Sequence, residues 1–297
     1  MRFGITALDW PTVLSQLSSD GFFDLSRFDF AEIARINHEQ GFSLLELTLD
    51  IGYVIPGALS EQQVSKLHTL KEKLDLTYTV HLPLWSIEPS SPNPFIREAS
   101  VACLIDAVRL IEPLEPEVYV VHNAGWIGAE FGEFEIGGED QPVISMILGN
   151  LAEQSIRELI QQTNIPSRKF ALESIEFPFE ITWMIAERLD TSICLDTGHV
   201  LSGQSGATDV VDFVNQYHSR LSEIHLHDGD LRKMVGRRFP YYDHRVLGEG
   251  TLPTVEFLIT LEDRGFDGPI IFELNREDAL KSLEVIRKLL PHLTIEC

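Results

Sequence analysis

The sequence predicts an α/β fold, a single (β/α)8 TIM barrel spanning 1–297, and three observations carry that prediction. Eight short, mostly apolar runs alternate with eight longer stretches of helical periodicity, the pattern of βα units around a parallel sheet. At 297 residues and 44% hydrophobic content the chain can bury one sizeable core, and such barrels use about 250 residues as one domain. No G-x-G-x-x-G fingerprint follows the first strand, which disfavours an open doubly wound sheet built from the same units.

The first strand is read over Arg2 to Thr6, and a helix begins near Phe30. Ser43 to Leu49 comes next, then a helix over Glu61 to Leu74 opened by Ser60 and Gln63, placed as a capping box. The third strand, Leu76 to Leu82, leads to a helix over Phe95 to Leu110 that gathers Val101, Leu104, Ile105 and Val108 on one face. Glu117 to Val121, Lys169 to Ser174 and Thr191 to Leu195 follow, with helices beginning near Pro142, Phe179 and Thr208. Leu221 to Leu226 and Pro269 to Leu274 complete the strands, and their helices begin near Pro253 and Glu277.

Two connections are long. Ala124 to Gln141 mixes glycines, acids and aromatics and reads as a lid. Gly229 to Asp243 gathers Arg232, Lys233, Arg237, Arg238, Tyr241 and Tyr242, a cluster suited to an anionic or planar substrate group. An ordered surface segment is the alternative for both.

Composition narrows the partners. With 23 Lys and Arg against 46 Asp and Glu, the formal net charge of −23 opposes a phosphate backbone, so nucleic acid is not the expected partner. No run of about 18 consecutive apolar residues occurs to span a bilayer, so no membrane partner is expected. Met1 leads straight into a strand-like run, and a cytoplasmic protein acting on a small-molecule substrate is expected, with a homodimer left open. Cys103, Cys194 and Cys297 match neither a disulfide framework nor a thiolate metal knuckle, and Cys103 and Cys194 read as small core residues.

The chemistry gathers at strand ends. These supply His81, His122, Glu173, Asp196 with His199, His225 with His227, and Glu273. Singly, each has a plainer role as a hydrogen-bonded strand-end His or a paired carboxylate. A barrel brings every strand C-terminus to one face, however, and carboxylates buried together there are costly without a cation. Neutral imidazoles with ionised carboxylates suit zinc, manganese or a related divalent ion, and the number of histidines favours zinc or manganese. His225 and His227 share one side of their strand; His225 is read as the ligand and His227, nearer the loop, as a substrate or outer contact. Asp243 and His244 precede two glycines that permit a tight backbone course, with a plain turn as the alternative. Trp85, Trp126, Phe22, Phe23 and Phe177 lie near the expected mouth, to stack on a flat or sugar-like substrate or to pack locally.

Together these motifs resemble the xylose isomerase-like TIM barrel superfamily, which includes endonuclease IV and related sugar isomerases and epimerases, from the second strand to the eighth. The Cys-Leu-Asp-Thr-Gly-His run ending at His199 is close to a signature of both branches. The resemblance implies a four-ligand metal site of Glu173, Asp196, His225 and Glu273. His81, followed by Pro83, and His122 resemble histidines that hold an additional metal in the endonuclease IV branch. That branch also implies a third metal on His199 and His244; its Asp ligand falls on Tyr242, a departure, with Asp243 one place off. The expected cofactor is thus one to three divalent ions.

The first functional reading is a metal-dependent hydrolase of a small phosphoester or amide, with Glu173 bridging two ions and water activated for attack. Glu173, Glu273 and His199 are the expected catalytic residues, and His227, Arg237, Arg238, Trp85 and Trp126 the expected substrate contacts. Cobamide-remodelling amidohydrolases, related to the superfamily, are one small-substrate branch, although no motif singles them out. The second reading is a sugar or sugar-acid isomerase or epimerase using one ion, with Glu173 and Glu273 as bases. A third is a non-catalytic ligand-binding barrel. Two or more ions favour hydrolysis; one favours isomerisation.

Overall fold

The computed structural model describes residues 1–19, 22–132, 143–205, 209–231 and 242–297. Its eight barrel strands are β1 (Arg2–Thr6), β2 (Leu44–Thr48), β3 (Thr77–His81), β4 (Tyr119–Val121), β5 (Phe170–Glu173), β6 (Ser192–Asp196), β7 (Leu221–His225) and β8 (Pro269–Phe272). All pair in parallel with their sequence neighbours, and β8 closes against β1. This is the expected (β/α)8 barrel. Apolar character runs on after ladder bonding stops, so the sequence reading overshoots most strand ends by one or two residues, whereas β6 continues one residue further, to Asp196.

The outer helices are α1 (Phe30–Glu39), α2 (Glu61–Leu74), α3 (Pro94–Ile111), α4 (Val143–Thr163), α5 (Phe179–Leu189), α6 (Val210–Tyr217), α7 (Thr254–Asp263) and α8 (Arg276–Leu289). Asp29, Ser60, Asn93, Asp209 and Asn275 cap five of them through side-chain oxygens that accept from first-turn N–H groups. The capping box is only half made. Ser60 accepts from the Gln63 N–H at 3.4 Å, but the Gln63 carboxamide turns away to Phe28 O and Phe30 N and ties α2 to α1. α3 starts at Pro94, a proline at N1 behind its Asn93 cap, and buries Val101, Leu104, Ile105 and Val108 as its periodicity predicts.

Alternation along each strand places the site. Residues two apart face the same side, so Thr79 sits beneath His81, Val120 beneath His122, Ala171 beneath Glu173, Cys194 beneath Asp196 and Glu223 beneath His225. Val118, Val120, Ala171 and Cys194 form a small cluster of their own, separate from the large core between sheet and helices. Cys194 is therefore a core residue, but Cys103 is only half-buried and donates its thiol hydrogen to the Tyr53 hydroxyl at 3.0 Å. Phe177 is also core rather than mouth, at 1% exposure. In the expected lid, Trp126–Gly132 is a short helix, and the remainder, 133–141, lies outside the described residues. Residues 228–230 and 242–245 form a two-stranded ribbon, so Arg232, Lys233, Arg237, Arg238 and Tyr241 between them also lie outside. Among the described residues no helix is long and apolar enough to cross a membrane.

Candidate metal centre

The strand ends bring His81, His122, Glu173, Asp196, His199, His225, His227 and Glu273 to one face of the barrel. Glu173 stands at the middle with its two oxygens divided. Oε2 lies 3.2 Å from His81 Nε2 and 2.9 Å from His122 Nε2. Oε1 lies 3.0 Å from His199 Nδ1 and 3.8 Å from His225 Nδ1. Two candidate donor groups share it: His81, His122 and Glu173, and Glu173, Asp196, His225 and Glu273.

The hydrogen bonds of the outer nitrogens aim each ring. His81 Nδ1 donates to the Leu82 carbonyl at 2.9 Å, leaving Nε2 for the centre. His122 Nδ1 pairs with Glu176 Oε1 at 3.0 Å. His225 Nε2 pairs with Glu46 Oε2 at 3.0 Å, so Nδ1 faces inward, 3.8, 3.7 and 3.5 Å from oxygens of Glu173, Asp196 and Glu273. Ligand atoms arranged tetrahedrally at about 2.0–2.2 Å from zinc stand roughly 3.3–3.6 Å apart, close to this spacing. His225 Nδ1 and Glu273 Oε2 are buried without a hydrogen-bond partner. A convergent, buried set of imidazole nitrogens and carboxylate oxygens, two of its atoms unpartnered, fits a divalent cation.

The Asp196 to His199 run has a local cause. Asp196 ends β6 and caps the short helix Thr197–Leu201, Oδ1 accepting from the His199 N–H at 2.7 Å. That leaves Oδ2 for the site, 2.9 Å from His227 Nε2. Thr197 ties this corner to β7 through its hydroxyl, donated to His227 O at 2.6 Å. A Cβ on Gly198 would meet the His227 ring at 2.1 Å, so only glycine lets that ring lie flat on the turn.

His199, His227 and His244 form a third group with candidate donor atoms within 4.8 Å of one another. Here the structure differs from the expected set of His199, Asp243 and His244. Asp243 is drawn aside by Gln204 Nε2 at 2.6 Å and His244 Nδ1 at 3.0 Å, and its Oδ2 remains 4.0 Å from His199 Nε2. His227 occupies the inner place. Its Nδ1 accepts from the His244 backbone N–H at 2.9 Å, so in the neutral ring Nε2 carries the hydrogen and donates to Asp196. That tautomer orients Asp196 and argues against ligation by His227.

Sequence reasoning missed Glu46, Glu223 and Glu176. Glu46 and Glu223 are buried inside the barrel, with the Thr79 hydroxyl donating to Glu223 Oε1 at 3.0 Å across the lumen. A lone acid in Leu-Leu-Glu-Leu-Thr and another two residues before His225 were the available signals. Glu176 has a left-handed backbone, φ 71°, which swings it back beneath His122.

Burial disfavours the charged forms of His122, His225, His244, Glu173 and Asp196, and neighbouring charges overcome it. His122 and His244 are raised well above 6.5 by adjacent carboxylates, and His225 is raised by Cys194 and then by Glu46 and Glu273. Glu173 and Asp196 are held well below 4.5 and 3.8 by the histidines. Burial, with Glu46 beside it, pushes Glu223 well up. Stability from the lowered carboxylates is present above their usual values and lost as pH falls; that from the raised groups is present below their usual values and lost as pH rises. Chelated protein is therefore expected to lose several degrees of melting temperature between about pH 6 and about pH 9. Metal-loaded protein should gain relative to it, because ligands must be deprotonated to bind. Scanning fluorimetry with and without chelator checks this, and a flat chelated profile would contradict the charge pattern.

A sequence profile of the xylose isomerase-like TIM barrel family matches residues 34–289. An uncharacterized protein of Methanocaldococcus jannaschii is 28% identical over 237 residues, 78% of this chain and 76% of its own. A D-tagatose 3-epimerase-like protein of known structure is similar with a TM-score of 0.71 and 21% identity, over 98% of this chain and 97% of its own. Endonuclease IV from Thermus thermophilus is similar with a TM-score of 0.67 and 19% identity, over 99% of this chain and 100% of its own. Structural likeness at such identities speaks for the fold alone. The profile spans most of the chain, and the protein belongs to the xylose isomerase-like TIM barrel family.

Proposed function

We propose that the protein is a divalent-metal-dependent hydrolase of a small phosphoester, with Glu173 shared between two cation positions. One observation carries this: the divided carboxylate, Oε2 toward His81 and His122 and Oε1 toward His199 and His225. Divalent cations there would supply the Lewis acidity that polarises a phosphoryl oxygen and activates water. The chain's own part is to fix the donors and handle protons. Glu46, Glu176 and the Leu82 carbonyl set the rings of His225, His122 and His81. At the cleft wall His244, kept in its protonated form chiefly by Asp243 and Glu273, has Nε2 3.5 Å from Glu273 Oε2 and is placed to give a proton to a leaving group.

A second reading, sugar epimerisation on one ion, is favoured by Glu273, which is 24% exposed on its side chain and lines the cleft, accessible as a base. It asks Glu173 to be a second base, whereas both its oxygens face imidazoles. The two readings separate in one experiment with zinc- or manganese-loaded protein. Release of nitrophenolate from bis(p-nitrophenyl) phosphate, sensitive to chelation, supports hydrolysis. Deuterium uptake from heavy water into D-tagatose or D-fructose, with no ester cleavage, overturns it.

A further inference from the structure

We propose that the cleft between Glu273 and the Trp10–Trp85 pair is a subsite for a flat aromatic ring carried by the substrate, an inference that rests on the hydrolase reading. The cleft has a volume of about 380 Å³, within the range of roughly 300–1,000 Å³ usual for small-molecule sites. His81, Glu273 and His244 form part of its wall, and Trp10 and Trp85 another part. A group reacting at the metal donors therefore shares one cavity with the indoles.

The two indoles lie nearly parallel, 13° apart with centroids at 6.4 Å, and each is 45% exposed. They are held there by the backbone. Trp10 opens the helix Trp10–Leu17, whose Asp9 cap takes the Thr12 N–H at 3.2 Å. The Trp85 N–H donates at 2.9 Å to Asp50, a buried carboxylate that also takes the Leu84 N–H. Exposed apolar rings on a fixed backbone leave hydration free energy to be recovered by a ligand and little conformational entropy to be lost on binding. Parallel planes present a face to a further ring in offset stacking, the geometry aromatic rings prefer. Thr6 and Thr48, whose hydroxyls lie 3.2 Å apart in the same cleft, offer hydrogen bonds to polar substituents on the ring edge.

The probes are three phosphonates that the enzyme cannot hydrolyse: phenyl-, cyclohexyl- and methylphosphonate, titrated calorimetrically into zinc-loaded protein. Phenylphosphonate is expected to bind at least about tenfold more tightly than methylphosphonate and several-fold more tightly than cyclohexylphosphonate, from ring burial plus stacking. Trp85→Ala and Trp10→Ala should each erode the phenyl advantage while leaving methylphosphonate within about twofold of wild type. Trp85→Leu, which keeps an apolar side chain, should abolish the preference for phenyl over cyclohexyl. Equal binding of phenyl and methyl, or a phenyl preference that survives these substitutions, overturns the subsite while the hydrolase reading stands. Cyclohexyl binding as tightly as phenyl overturns the aromatic ring. Binding of none of the three overturns the subsite and the phosphoester reading together.

Discussion

Glu173→Gln is expected to lower hydrolysis by on the order of 10³-fold, equivalent to about 4 kcal/mol of lost transition-state stabilisation, the scale of removing one preorganised electrostatic group. The substitution keeps the shape of the side chain and removes its charge. In the native arrangement both carboxylate oxygens face imidazole nitrogens, at 2.9 to 3.2 Å from His81 and His122 and at 3.0 Å from His199. A carboxamide can offer an acceptor to one side only; its NH₂ turns donors toward the other, where a cation would have stood. Bound metal should therefore fall together with turnover, measured by elemental analysis on the protein used for kinetics. Circular dichroism should stay at wild type, because the barrel's packing is carried by the large core around Phe3, Phe30 and Phe272. Full activity in this variant would remove Glu173 from the centre of the mechanism.

The strand ends were legible in the sequence for a physical reason. A closed parallel barrel leaves little freedom over where a residue at the end of a strand goes, so reading the strands nearly reads the ring. His81, His122, Glu173, Asp196, His225 and Glu273 each follow from that rule, and the structure brings them together. What local pattern cannot give is a relation across the barrel. Glu46 on β2 meets His225 on β7, and Thr79 on β3 meets Glu223 on β7, pairs set by closure and shear rather than by any spacing along the chain. Trp10 was missed for the same reason, since its partner Trp85 arrives from a different βα connection. Asp243 shows a further limit of local pattern. On a two-stranded ribbon one residue of register changes the face of every side chain, and the Gln204 amide captured the displaced carboxylate.

The second large effect separates the two cation positions. His122→Ala is expected to remove one ion of two per chain and to lower hydrolysis at least about 100-fold, above the range of roughly 10- to 100-fold for losing an outer-shell partner. His81→Ala should do the same, since both rings present Nε2 to the same Glu173 oxygen. Their combination should cost little more than either alone, because once the first ion is lost the remaining imidazole has nothing left to complete. Glu176→Gln offers the graded comparison. It leaves His122 in place and weakens only the acceptor behind Nδ1, so metal affinity should fall about 10- to 100-fold with the ion still bound at saturation. A residual ion in His122→Ala would be held by Asp196, His225, Glu273 and Glu173, the set that the epimerase reading needs by itself. Two ions retained in His122→Ala would place the second ion away from this histidine, and none retained would mean that the two groups bind as one.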